Sequence, residues 1–210
     1  MHFLLKAGPV IIPILLGSLL GLSIIIERLW FFKIATRVNP ASFSERIFYY
    51  VRKADFQSAI VFCNEHIRYP LAHIFRTGLE RWPLSSQEIE KAMEREGNNQ
   101  ALELERFMGA LATIATIEPL LGFLGTITGL IRAFMSWEQA GANITVSVLA
   151  SGIYEAMITT ATGLIVAIPL FIVYNYFIAR IKIITQGWTD YSLRLSEVIV
   201  GTKKEGENRG

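Results

Sequence analysis

The sequence predicts an all-α membrane protein, with three transmembrane helices and long cytoplasmic helical extensions. Three observations carry that prediction. The 210 residues are 52% hydrophobic and only 18% charged, too apolar for an ordinary soluble domain of this size. The apolar residues are gathered into three long runs that hold no charge or a single acid. No segment shows the polar–apolar alternation of a half-buried strand.

Taken in order, residues 1–6 form an outer N-terminus and 7–27 the first span. Ala7 to Ile26 carry no charge and lie between Lys6 and Glu27. At about 1.5 Å per residue such a run crosses a hydrocarbon core of about 30 Å. Pro9 and Pro13 stand near its start and no A-x-A-like cleavage site precedes its charged exit, so it reads as a retained helix rather than a signal peptide.

Residues 28–106 form a cytoplasmic helical domain. From Ser42 to Glu65 the apolar positions Phe43, Ile47, Val51 and Ile60 keep helical spacing, interrupted at Asp55. Tyr69-Pro70 breaks the pattern, Leu71 to Arg81 makes a further short helix, and Trp82-Pro83 ends it. Ser85 and Glu88 form a capping box. Beyond it only Gly97 and Pro119 interrupt the pattern, which predicts one long helix running from the charged stretch Glu88 to Arg106 directly into the second span.

The second span covers 107–132, an outer loop 133–147, and the third span 148–179. Residues 180–210 are a cytoplasmic helical extension and tail, whose last stretch, GTKKEGENRG, is polar and glycine-rich and reads as disordered. Orientation follows from the basic residues. Only Lys6 and Arg132 fall on one side, and all other lysines and arginines fall between the first two spans or after the third. That places the N-terminus outside, and the large loop and C-terminus in the cytoplasm. Trp30, Phe31 and Phe32, with Tyr174 and Tyr176, fit an inner aromatic belt.

Some functions are excluded early. A net charge of +2 gives no reason to invoke nucleic acid. Cys63 is the only cysteine, so no internal disulfide forms, and a buried inert thiol is expected. His2, His66 and His73 have no metal-ligand spacing, no strong metal or phosphate motif occurs, and no cofactor is expected. No catalytic residue is assigned, because the spans hold neither a serine, histidine and aspartate set nor a pair of aspartates.

The polar residues inside the spans are the candidates for function. At about 100° per residue, Glu118, Gly122, Thr126, Gly129 and Ala133 share a stripe roughly 80° wide on the second span. On the third, Gly152, Ala156, Thr160, Gly163 and Ala167 make an equally narrow stripe, with Glu155, Thr159, Thr162 and Val166 beside it. Small residues let helices approach closely in lipid, where no hydrophobic force drives their association. Gly122, Gly125, Gly129, Gly152, Ala156 and Gly163 are therefore helix-packing positions. An acid inside a span normally faces protein or water and marks an ion path. Glu118 stands near the middle of its run; a locally satisfied structural acid is the competing reading. Glu155 lies near the outer end, where the headgroup region is the alternative. Pro119 removes a backbone donor and frees the Ala115 carbonyl.

These residues carry a family resemblance. EPLLGFLGTITGLIRAF (Glu118 to Phe134) and SGIYEAMITTATGLIVAIPLFIVYNYF (Ser151 to Phe177) resemble the two signature segments of the ExbB/TolQ family, distant relatives of the MotA stator proteins. The resemblance implies a homopentameric ring around a pore. A dimer of a single-span ExbD/TolR-like partner would occupy the pore, and protonmotive force would energise transport or envelope processes through a TonB/TolA-like protein. It also implies an inner-membrane location. Carried over by motif, Thr126 and Thr160 would line the proton path, and Glu155 would lie at the pore or a subunit contact. On an ideal helix Glu155 and Thr160 are about 140° apart, which turns Glu155 toward a neighbouring helix. The sequence departs from the family at Glu118, where a small residue is usual; that acid is a candidate second ion station. The competing functions are a passive membrane scaffold that recruits partners through its cytoplasmic helices, and a sodium-coupled motor.

Overall fold

The computed structural model describes residues 9–140 and 146–207. They form seven α-helices: α1 (Ile11–Ala35), α2 (Pro40–Arg52), α3 (Phe56–Glu65), α4 (Pro70–Leu79), α5 (Ser86–Glu105), α6 (Met108–Ala140) and α7 (Val146–Glu207). No strand occurs among the described residues. Three helices, α1, α6 and α7, carry windows long and apolar enough to cross a membrane. The chain divides into two compact units, one made of the described residues up to Glu27 with Phe107–Phe177, the other of Arg28–Arg106 with the described residues from Ile178.

The second unit is assembled from short, explicitly capped helices. Asn39 Oδ1 accepts the Ala41 N–H at 2.9 Å, with Pro40 at the first helical position. Asp55, the expected interruption, follows the left-handed residue Ala54 (φ 57°) and accepts the Ser58 N–H at 3.0 Å to open α3. Hydrogen bonds from the Ser58 side chain and backbone hold the Asp55 carboxyl below its ordinary value. Pro70 starts α4, which stops short of Trp82-Pro83. The Ser85 box forms in full: Ser85 Oγ accepts the Glu88 N–H at 3.4 Å, and Glu88 Oε2 accepts the Ser85 N–H at 3.2 Å.

Large side chains fill this unit. Phe43 lies with its ring centroid 5.5 Å from Phe62, 5.3 Å from Tyr69 and 6.1 Å from Phe75. Ile47, Val51, Leu71, Ile74 and Leu79 are fully enclosed, as are Ile89 and Met93, which close over Gly78. Each contributes roughly 1.5–3 kcal/mol by leaving water. Cys63 is buried here, and burial pushes its thiol up to about 12, so it is inert at neutral pH. Arg28 is also enclosed; its Nη1 donates to the Glu103 carbonyl at 2.9 Å and its guanidinium lies 4.6 Å from the Phe31 ring centre. The latter half of α7 buries Trp188, Leu195 and Ile199, and Ser196 Oγ donates to Glu90 Oε1 at 2.6 Å.

The first unit inverts that pattern. Inside it are Ala115, Ala133, Ala156 and Ala167 with Ile14, Leu111 and Leu170, while Leu19, Phe123 and Ile165 are 63%, 61% and 70% exposed. Large apolar side chains on the outside and small ones within are what a lipid-facing bundle requires.

Two expectations are corrected. The continuous helix from Glu88 into the second span does not form. α5 ends at Glu105, Arg106 is extended (ψ 132°) and Phe107 is left-handed (φ 64°), its carbonyl accepting the Leu111 N–H at 3.0 Å to begin α6. Neither glycine nor proline marks this break, whereas Gly97 and Pro119, the residues that could have broken the helix, both lie within one. The second correction is at the C-terminus, where α7 runs on to Glu207 through residues 201–207 of the stretch expected to be disordered, while 208–210 lie outside the described residues. Thr202 Oγ1 donates to the Val51 carbonyl at 3.2 Å, so its position is fixed by packing rather than by composition. Of the expected outer loop, residues 133–140 continue α6 and 146–147 open α7; 141–145, like the expected outer N-terminus 1–6, lie outside the described residues.

Candidate ion-path site

The first unit brings α6 and α7 together along their small residues. A Cβ added at Gly122 would stand 3.0 Å from Thr160 Cα and 3.2 Å from the Thr159 carbonyl oxygen. One added at Gly163 would stand 2.6 Å from the Glu118 carbonyl oxygen and 3.1 Å from Gly122 Cα. Backbone, not flexible side chain, is what these positions meet, so only glycine permits the approach. Gly129 faces Ala156, Gly152 faces Ala133, and Gly125 receives the methyl of Thr159.

Close approach sets two hydroxyls against each other. Thr126 Oγ1 and Thr160 Oγ1 are in direct hydrogen-bond contact, and both reach the Gly122 carbonyl, at 3.2 and 2.9 Å. Each hydroxyl has one proton to give. One threonine donates to the carbonyl, the other donates to that threonine, and exchanging the roles leaves every heavy atom in place. The triangle therefore has two proton arrangements, which is the property a hydroxyl relay needs. The other span threonines are used locally: Thr116 donates to Ala112 O at 2.8 Å, Thr159 to Glu155 O at 3.0 Å and Thr162 to Ile158 O at 2.8 Å.

The two acids occupy other places. Glu155 Oε1 is 3.1 Å from Arg132 Nη2, a pair between α7 and α6 whose side chains are 29% and 47% exposed. Beside it is a cavity of about 350 Å³ lined by Gly129, Arg132, Ala133, Ser136, Ser151, Gly152 and Glu155. Glu118 is 1% exposed, and its carboxyl lies against α1, where a side chain on Gly17 would collide with Oε1. Oε2 is enclosed and has no hydrogen-bond partner.

Three of these residues escaped the sequence reading. Gly17 and Gly21 are spaced i, i+4 in an apolar run, a close-packing signal that was available: Gly17 seats the Glu118 carboxyl, and Gly21 the Leu170 methyls. Arg132 enters the sequence reading only through orientation, because no local pattern links it to Glu155 on the next span.

Comparison with known proteins agrees with this architecture. A model of the MotA/TolQ/ExbB proton channel family matches residues 66–190, a segment that contains both threonines and both acids. The chain is 33% identical to ExbB-like biopolymer transport protein 3 of Synechocystis sp., over 82% of each chain. It is 37% identical to the Tol-Pal system protein TolQ of Haemophilus influenzae, over 48% of this chain and 44% of that one. Its fold is similar to a chain in the structure of C. jejuni MotAB, with a TM-score of 0.60 at 16% identity, covering 97% of this chain and 78% of that one. With more than half of its length matched by the family model and a Synechocystis relative 33% identical over 82% of each chain, this multi-pass inner-membrane protein belongs to the MotA/TolQ/ExbB proton channel family.

Proposed function

We propose that the chain is an ExbB/TolQ-like subunit of an inner-membrane proton channel, in which Thr126 and Thr160 carry protons through the membrane. The single observation behind this is the hydroxyl pair sharing the Gly122 carbonyl across α6 and α7, with its two proton arrangements, where the other span threonines bond only their own helices. Names of the relatives, in biopolymer transport and the Tol-Pal system, support an energising role. In this reading five copies form a ring, and an ExbD/TolR-like single-span dimer fills the pore and supplies an exchanging acid. The complex passes work to a TonB/TolA-like protein. The N-terminus lies outside and the C-terminus in the cytoplasm.

Within that scheme Glu155 acts at the outer end, held by Arg132 rather than facing the relay directly. The decisive test uses the complex co-purified with its single-span partner and reconstituted in vesicles. Thr126→Ala and Thr160→Ala each leave assembly intact and lower proton flux under an imposed protonmotive force by tenfold or more. Wild-type flux in both variants sinks the proposal. A scaffold without channel activity would show no flux in the wild type.

A further inference from the structure

The Glu118 carboxyl takes no part in the threonine relay, yet it is the most enclosed ionisable group of the membrane unit. It is 1% exposed, Oε2 has no partner, and Oε1 lies over Gly17 of α1, where an added Cβ would collide with it. No other titratable or charged side chain faces it. α1 has none from Ile11 to Ile26, α6 has none besides Glu118 from Phe107 to Ile131, and α7 has none from Ala156 to Val173. A buried acceptor aimed into an apolar seam has to be satisfied by something, because leaving such a group unmade is costly.

We propose that Glu118, seated in the Gly17 notch between α1 and α6, is a second proton-binding station of this protein and takes H⁺ rather than a metal cation. The donor set decides the ion. A hard cation gathers several oxygen ligands around itself, whereas a proton needs one lone pair. Here one carboxylate oxygen sits over the Gly17 notch and the other has no hydrogen-bond partner, and the hydroxyls next in sequence bond their own helices: Ser18 donates to Leu15 O and Thr116 to Ala112 O, both at 2.8 Å. Uptake is the simple equilibrium in which the carboxylate and a proton give the carboxylic acid, with no other bond made or broken. The site is also placed to communicate with the relay. Glu118 is one helical turn from Gly122, whose carbonyl accepts from both threonines, and the Glu118 carbonyl itself lies at the Gly163 contact. One residue thus touches the α1 seam with its carboxyl and the α7 seam with its backbone.

This inference sharpens the proton-channel reading, and its test is independent of it. Infrared difference spectra of the reconstituted complex are recorded across a pH series, in sodium chloride and in choline chloride. The expected result is a protonated-carboxyl stretch that titrates, disappears in Glu118→Gln, and is the same in both salts. Gly17→Ala pushes a methyl onto Oε1 and is expected to move the frequency or midpoint of that stretch without removing it. The proposal is overturned by wild-type spectra indistinguishable from those of Glu118→Gln, by loss of the stretch in sodium, or by a Gly17→Ala stretch identical to wild type. A complex with no proton current but with the Glu118 stretch removes the channel reading and supports the site. A complex with normal current and no such stretch removes the site alone.

Discussion

The two units are held together by opposite means. In the unit that contains α2 to α5, packing depends on bulk: Phe43, Phe75, Ile74 and Met93 fill the interior, and side-chain caps at Asn39, Asp55 and Ser85 fix where each short helix begins. In the unit made by the membrane helices, packing depends on the absence of bulk, with Gly122, Gly163 and Gly17 admitting a neighbouring backbone or carboxyl. The reason is the solvent. Water rewards the burial of large apolar groups, but lipid is as apolar as leucine, so close contact and cross-helix hydrogen bonds are what remain. The same substitution should therefore have unequal effects in the two units.

The largest effect is expected from adding bulk to the membrane seam. Gly163→Val places side-chain atoms where the Glu118 carbonyl and Gly122 Cα already stand, and neither is a flexible tip that can turn away. Overpacking of this sort costs about 1–3 kcal/mol where a core can relax and more where it cannot. The expected outcome is loss of the assembled complex in detergent, seen as a collapse of its size-exclusion peak. Gly187→Ala sharpens the contrast. Nothing lies within 4 Å of a Cβ there, so alanine is expected to stabilise by about 0.5–1 kcal/mol through helix propensity. A destabilised Gly187→Ala would show that the glycines in α7 are not distinguished by what surrounds them.

Removing bulk gives the next largest effect, in the other unit. Phe75 is fully enclosed, stacks on Phe43 and lies tilted against Phe48. Phe75→Ala should cost about 3–5 kcal/mol by denaturant unfolding, while Phe123→Ala, at a site 61% exposed on the membrane unit, should cost much less. Equal losses would break the comparison between the units.

Smaller still is the cap on α5. Ser85→Ala is expected to cost about 1 kcal/mol. The Ser85 side chain, and then its backbone, hold the Glu88 carboxyl below its ordinary value. A carboxyl depressed in the folded state stabilises above its unfolded value, and that share is lost as pH falls through the folded one. Acid unfolding of Ser85→Ala should therefore be less steep than that of the wild type over this carboxylate range.

What could be read from the sequence follows the same division. Caps and stripes are local, so the Ser85 box, the Asp55 interruption and the small-residue stripes of Gly122 and of Thr160 are visible as spacing; that the two stripes meet is not. The break at Arg106 and Phe107 was invisible, because it uses a left-handed phenylalanine where the residue types permit a helix. The helical course of α7 past Gly201 was likewise hidden, since Thr202 is held by the distant Val51 carbonyl. Glu118 could be recognised as an acid out of place, but its aim toward Gly17 depended on which helix would lie beside it, and a periodicity cannot say that.

The smallest expected effect concerns Arg132 and Glu155, and it separates stability from function within the membrane unit. Both side chains are partly exposed, and exposed ion pairs contribute only about 0–1 kcal/mol. Arg132→Gln should therefore leave thermal stability of the complex nearly unchanged. Its consequence should appear in conduction, because the guanidinium neutralises the acid beside the cavity between α6 and α7. Removing the guanidinium makes the charge beside that opening more negative, and the salt dependence of proton flux should rise in Arg132→Gln relative to wild type, most clearly at low ionic strength where screening is weakest. Flux that is unchanged at every salt concentration would make the pair a surface contact and nothing more.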